Sequence, residues 1–266
     1  MNRRGIPRMT RGLLPVVLVL SLAAPFRHYE HDPDLAGLPK TAFSRKGVPA
    51  DPLNIGLIGT RDEVTRALKA AGWFPADPHT IGSDLEIAVS VAVGLRYTDA
   101  PVSGMFLWDR RQDLAYESPV RGGARRRHHV RFWQSPNSGL DGRPLWIGAA
   151  TYDCSLGFVR RTLLITHRIA PDVDAERDKL IGDLVSAGRL DTIYQVTGTG
   201  QALYGRTANG DWYFTDGEIT IGAVMGSTAA KIVPRELANP PAVKAKNGFW
   251  KILRLVLKPL SRHRQV

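Results

Sequence analysis

NIGLIGTRDEVTRALKAAG, residues 54–72, sets how the rest of the chain is read. Asn54 to Gly59 is a short apolar, strand-like run. Thr60, with Glu63 three residues later, has the pattern of a capping box that opens a helix. Val64, Leu68 and Ala71 recur on one helical face, and Gly72 stops the helix in the way a left-handed cap does. A second strand–helix unit follows the same plan. Ile165 to Ile169 is strand-like, Asp172 opens a helix lined by Leu180, Leu184 and Val185, and Ala187-Gly188 closes it. Both units end in Ala-Gly, an echo that either an internal repeat or ordinary helix-ending chemistry would produce.

Around these units the signals are strands: Met105–Trp108, Val130–Trp133, Leu145–Tyr152, Thr192–Val196, Trp212–Phe214 and Glu218–Val224. Asp216-Gly217 between the last two reads as a hairpin turn. Runs of strands broken by two helices, near 61–71 and 173–187, predict an α+β class. The expectation is a single domain over residues 52–225, with a mixed, mostly antiparallel sheet and two principal helices. Residues 25–51 and 226–247 read as linkers, because Pro25, Pro33, Pro39, Pro49 and Pro240-Pro241 interrupt any periodic run.

The 266 residues carry a net charge of +11, and its distribution limits the function classes. Residues 1–24 hold Arg3, Arg4, Arg8 and Arg11 with no acid, and residues 242–266 hold seven basic residues with no acid. Together these ends account for the whole excess, so the body of the chain is balanced. A nucleic-acid binder shows its excess on the folded domain. Here the charge flanks apolar stretches, as in membrane-directed segments, and nucleic acid is excluded as a partner. The Arg125–Arg127 run reads as a solvated loop. Leu13–Phe26 is almost wholly apolar and follows the arginines, and Ser21 and Ala23 within it supply small residues at the two positions a signal peptidase would read. Residues 1–24 are therefore expected to be a signal peptide or a short transmembrane anchor. The expected location is the cell envelope, with the chain exported or anchored to the inner membrane by residues 12–26. Cys154 is the only cysteine, so no disulfide can form within the chain.

Three stretches gather polar side chains among small or apolar neighbours: Arg125 to Trp133, Leu145 to Asp153 and Thr166 to Asp178. On a strand, His128, Val130 and Phe132 share one face and His129, Arg131 and Trp133 the other. The small residues Gly148, Ala149 and Ala150 leave room for a ligand or for long side chains of a neighbouring strand. His129, Arg131, Asp153, His167 and Asp172 are the candidate site residues. His129 and His167 could serve as zinc-type ligands, or a carboxylate-held histidine could act as general base while Arg131 binds an anion. Equally, Asp172, Asp174 and Glu176 fall in the first turn of a helix, where carboxylates cap free N–H groups. The sequence names no cofactor. Gly198-Thr199-Gly200 lacks the Gly-Lys-Ser/Thr ending of a phosphate loop.

Taken in order, IGTRDEVTRALKAAGWFPAD (58–77), RYTDAPVS (96–103), HHVRFW (128–133), WIGAATYD (146–153) and THRIAPDVDAERD (166–178) resemble the LssY C-terminal domain of bacteria. The resemblance covers about residues 52 to 225. It implies a component connected with type I secretion, in a family whose domain also occurs fused to membrane modules, one of them of the acid-phosphatase kind. That phosphatase module's Lys/Arg-Pro, Ser-Gly-His and Arg/His signatures are missing here, so its activity does not carry over. The implied function is a ligand-binding or interaction module of a membrane or secretion system. The alternative is a metal-assisted or His-based hydrolase acting on a lipid-derived or phosphorylated substrate.

Residues 248–262 read as a basic amphipathic helix. Phe249, Ile252, Leu253, Val256, Leu257 and Leu260 fall on one helical face. Trp250 suits a membrane interface, and Lys251, Arg254 and Lys258 suit anionic headgroups. Pro259 is expected to weaken or end the last turn. An anionic membrane surface is the expected partner, and a helix docked on the domain is the alternative.

Overall fold

The computed structural model describes residues 35, 38–76, 104–120, 126–159, 164–197, 204–226 and 233–262. The apolar segment near the N-terminus, the RYTDAPVS motif and Gly198–Gly200 lie outside them.

Nine strands make the main sheet, in the order β15 (Arg235–Glu236), β11 (Leu190–Thr197), β14 (Glu218–Val224), β3 (Ile55–Ile58), β9 (Pro144–Val159), β8 (Arg127–Ser138), β7 (Leu114–Pro119) and β4 (Phe74–Pro75), with β10 (Leu164–Ile169) added on β9. All neighbours are antiparallel except β11 with β15 and β14 with β3. A small second sheet runs β2 (Pro49–Pro52), β1 (Thr41–Phe43), β5 (Phe106–Leu107) and β6 (Arg110–Arg111), and β12 (Tyr204–Arg206) pairs with β13 (Trp212–Phe214). The mixed, mostly antiparallel α+β domain expected from the sequence is thus the fold observed.

Helix α1 (Arg61–Ala70) begins at the full capping box: Thr60 Oγ1 accepts from the Glu63 N–H, and the Glu63 carboxylate accepts from the Thr60 N–H at 2.8 Å. Gly72 follows with φ +81°, which a residue with a Cβ adopts only under strain. Helix α2 (Val173–Ser186) begins at Asp172, whose carboxylate accepts from the Ala175 N–H. Val64, Leu68, Leu180 and Leu184 press against Ile55, Leu57, Val130, Phe132 and Trp146 on one face of the main sheet. The opposite face, through Trp133, Ile147, Tyr194 and Ile221, packs on Leu35, Leu38, Ala42, Leu53 and Leu107 from the small sheet and its approach. The main sheet is therefore buried on both sides.

Three boundaries differ from the sequence reading. The expected linker 25–51 holds β1 and most of β2, and supplies Leu35, Leu38 and Ala42 to the core. Pro49 sits in a short sheet of few ladder bonds, where a missing N–H costs little. The expected linker 226–247 holds β15 and the first turns of helix α3 (Pro241–Arg262). Proline at the first helical position removes only an N–H that has no partner there, so Pro241 opens the helix, which also continues past Pro259. Asp216-Gly217 does not turn a hairpin, because β13 pairs with β12 while β14 pairs with β11 and β3. The room beside Gly148 is filled from within: an added Cβ would lie 2.6 Å from the Phe132 ring and 2.8 Å from the Arg131 carbonyl oxygen.

Candidate functional site

The β8–β9 register sets Arg127 opposite Asp153, His129 opposite Thr151 and Arg131 opposite Ala149. The alternation anticipated for this strand holds. His128 turns to the helix face, where its Nδ1 meets Glu176 of α2 at 2.8 Å and its ring stacks on Tyr152. His129 and Arg131 turn to the small-sheet face. There Asp51 of β2 and Asp153 of β9 complete a cluster of alternating charge. Arg131 donates to Asp51 at 3.2 Å, and Arg127 donates to Asp153 at 3.0 Å and to Glu117 at 3.3 Å.

His129 lies at the centre, with its side chain 12% exposed. Its Nδ1 is in ion-pair contact with Asp153 at 3.3 Å, and its Nε2 is 2.7 Å from Thr151 Oγ1 and 2.9 Å from the Arg131 guanidinium. Burial and the Arg131 charge work against the charged imidazole, but the Asp153 and Asp51 carboxylates together outweigh them, and the pKa stands above its ordinary value. In the neutral ring Nε2 accepts from Arg131, since a guanidinium only donates, and Nδ1 carries the proton toward Asp153. A cavity of about 10 Å³ opens beside this row, lined by Glu117, Arg127, His129 and Arg131 with Ala76 and Ala115. That is space for about one water molecule.

Hydroxyl, imidazole and carboxylate thus stand in the order of a nucleophile, a base and the group that orients it. Thr151, however, has no exposed surface, so its oxygen meets neighbouring side chains and not solvent. A metal at His129 is opposed by Arg131, whose positive charge occupies the position a cation would take at Nε2. Among the described residues no three His, Cys, Asp or Glu side chains gather as a metal site. The His167 side chain lies outside the described residues; its backbone pairs with Leu156 in the β10–β9 ladder.

Asp172 does not join this cluster. It caps α2 and holds α3, through Arg254 at 2.9 Å and Lys258 at 3.3 Å. Beside it is a second buried ionic group centred on Arg177, 3% exposed, which makes paired bonds of 2.8 and 2.9 Å to Asp216. Asp174 is fully buried and accepts from the Thr215 hydroxyl, the Asp216 N–H and the Trp250 indole N–H. Burial, aided by repulsion from Asp216, lifts its pKa to about 6 against the pull of Arg177. For Asp216 burial is outweighed by Arg177, which holds the carboxylate below its usual range. Glu218, paired with Lys246, is raised by burial.

Helix α3 docks on this second group by one face. Val243 and Trp250 are buried, while Phe249, Ile252, Leu255 and Val256 are exposed. Trp250 is therefore an anchor into the domain and not an interfacial residue, because its indole N–H finds the Asp174 carboxylate. Arg254 and Lys258 meet Asp172 and not only solvent. Leu253 and Leu257 are half-buried, and Lys251 is exposed as expected.

The sequence reading missed Asp51, Thr151 and Arg127 in the first cluster, and Asp174, Arg177, Asp216 and Glu218 in the second. Arg127 was placed in a solvated run; Arg126 is indeed exposed, but Arg127 is drawn inward by Asp153 and Glu117. Thr151 shares strand parity with Asp153, a signal present in the sequence, and pairs with His129 across the β8–β9 ladder. Asp51 gave no local signal.

A family model for the LssY C-terminus matches residues 35–219. The chain belongs to the LssY C-terminal family. The match begins at Leu35, which agrees with the core residues contributed ahead of β1 and ends inside β14. Helix α3 lies beyond the part of the LssY domain that the match covers. No curated protein and no solved structure matches the chain.

Proposed function

We propose that this LssY-family domain is an envelope-associated interaction module of a membrane or secretion system. The observation that carries the reading is helix α3. Its basic and aromatic side chains (Lys246, Trp250 and Arg254) are spent on buried carboxylates of the domain, while Phe249, Ile252, Leu255 and Val256 face outward. Contiguous exposed apolar side chains on a rigid element mark surfaces that meet other molecules. The arginine-rich, apolar start of the chain supports an envelope location. Fractionation of full-length protein tagged at its C-terminus tests this: recovery with membranes or periplasm is expected, and recovery solely from cytosol would overturn it.

The second reading, a His-based hydrolase, draws on the Thr151–His129–Asp153 order. Labelling with a hydroxyl-directed phosphonate probe separates the two. Under the module reading the protein stays unlabelled; label on Thr151 that disappears in His129→Ala would favour the hydrolase.

A further inference from the structure

Helix α3 is amphipathic on the side that faces away from the domain as well. At 3.6 residues per turn, Ile252, Leu255 and Val256 lie opposite Trp250, with Phe249 at their edge. They are 65%, 73%, 55% and 41% exposed respectively. Lys244, Lys251 and Lys258, spaced seven apart, run as a row along one flank of that ridge. Lys244 and Lys251 are exposed, and Lys258 keeps 54% of its side chain in solvent while reaching Asp172. The helix contains no acidic residue.

Charge complementarity decides what covers this ridge. A second copy of the chain would bring one lysine row toward another, with no carboxylate on the ridge to receive it, and like charges face to face oppose pairing. A lipid surface bearing anionic headgroups meets both features, taking the apolar side chains into its acyl boundary and the lysines at its phosphates. The helix is not apolar enough to cross a membrane. Its 22 residues, about 33 Å at 1.5 Å per residue, suit a helix lying flat.

We infer that the outward ridge of α3 docks this domain on an anionic lipid surface while the helix stays packed on the domain. The inference rests on the envelope reading above and adds the partner and the orientation. Because Trp250, Lys246 and Arg254 remain engaged inward, binding needs no release of the helix, and the domain is held with its α2–α3 side toward the lipid. Lys244, Lys251 and Lys258, not Arg254, supply the attraction.

The test uses the full chain in a Cys154→Ser background, labelled with an environment-sensitive dye at Leu255→Cys or, separately, at Leu253→Cys. The probe is vesicles of phosphatidylglycerol and phosphatidylcholine against phosphatidylcholine alone, with spin-labelled lipids as quenchers. Dye at 255 should be quenched with the anionic vesicles, and dye at 253 far less. Changing the three lysines to Gln should weaken the response ten- to a hundredfold, from roughly 1 kcal/mol per cation and a discount for the Lys258 pair. High salt should have the same direction of effect, as screening shortens the reach of charge. Vesicle binding with an unquenched dye at 255, or quenching at both positions alike, would overturn the inference and leave the envelope location standing. A dimer in light scattering that shields position 255 without lipid would overturn it in favour of a second copy. Quenching at 255 in a protein that fractionates only with cytosol would keep the lipid inference and remove the envelope reading.

Discussion

Replacing Arg177 by Met leaves three carboxylates, Asp174, Asp216 and Glu218, in a buried site with one cation fewer. Met fills most of the volume, so the loss is electrostatic. The Arg177 side chain is 3% exposed and makes two short bonds to Asp216, so little solvent screening reduces the term. Removing one member of such a pair costs about 3–5 kcal/mol, because the other is left charged and unpaired. That is a large part of the roughly 5–15 kcal/mol that holds a domain folded. The cost should depend on pH. Asp174 is raised from 3.8 to about 6 on folding, so its contribution to stability is fully present below pH 3.8 and lost as pH rises through 6. By the usual conversion that loss is about 3 kcal/mol at neutral pH, a burden Arg177 keeps from being larger. Asp216 runs the other way: it is held below its ordinary value by Arg177, so it stabilises above that value and ceases to do so only in acid. Without Arg177, burial is opposed only by Lys246 and the Glu218 N–H, and the Asp216 pKa should rise. Urea unfolding of the full chain, followed by tryptophan fluorescence, should show the variant losing several kcal/mol at pH 7.5 and clearly less at pH 5. Adding Asp216→Asn should restore part of the loss, since the orphaned carboxylate is then removed. A loss under about 1 kcal/mol, as for exposed pairs, or an equal loss at both pH values, would refute the account.

Other expectations follow from single contacts. Asp153→Asn removes the larger of the two carboxylate contributions that raise the His129 pKa and leaves that of Asp51. Wild-type stability from this group is full below the unfolded value and fades as pH rises through the folded one, so the variant should lose more at pH 6 than at pH 8, and an NMR titration should place His129 lower. Trp250→Phe keeps the ring but drops the donor to Asp174, at a cost of about 1–3 kcal/mol; Trp250→Ala should in addition expose residues 241–262 to limited proteolysis before the rest of the domain. Gly148→Ala meets the Phe132 ring and the Arg131 carbonyl oxygen, and overpacking of that kind costs about 1–3 kcal/mol in a thermal or urea melt. Thr60→Ala removes the cap of α1 and should cost about 1 kcal/mol.

What depends on near neighbours along the chain could be read from the residues alone. The α1 capping box, the Gly72 stop, the start of α2 at Asp172 and the opposed directions of His128 and His129 are local matters. Spacing of three or four residues on a helix, or of two on a strand, fixes which side chains share a face. Three of the five family motifs fall in these same local units, so membership was legible as well. The concentration of charge at the ends was legible, since it needs only counting.

Which residues stand together depends on how distant segments pack. Asp51 reaches His129 and Arg131 because the small sheet that holds β2 packs on that face of the main sheet, and no pattern around Asp51 announces it. Asp172 and Asp153 are both carboxylates in the family motifs, yet one ends in a helix cap under α3 and the other beside a histidine on β9. The tail shows the limit most plainly. Its periodicity correctly described an amphipathic helix, but a helix has two sides, and the buried carboxylates of Asp172, Asp174 and Glu218 chose which one turns inward. A buried carboxylate left without donors carries its full desolvation cost, which an indole N–H or a guanidinium relieves and an aliphatic chain does not. Trp250 and Arg254 therefore face the domain, and the apolar residues that would ordinarily be buried are the ones left facing out.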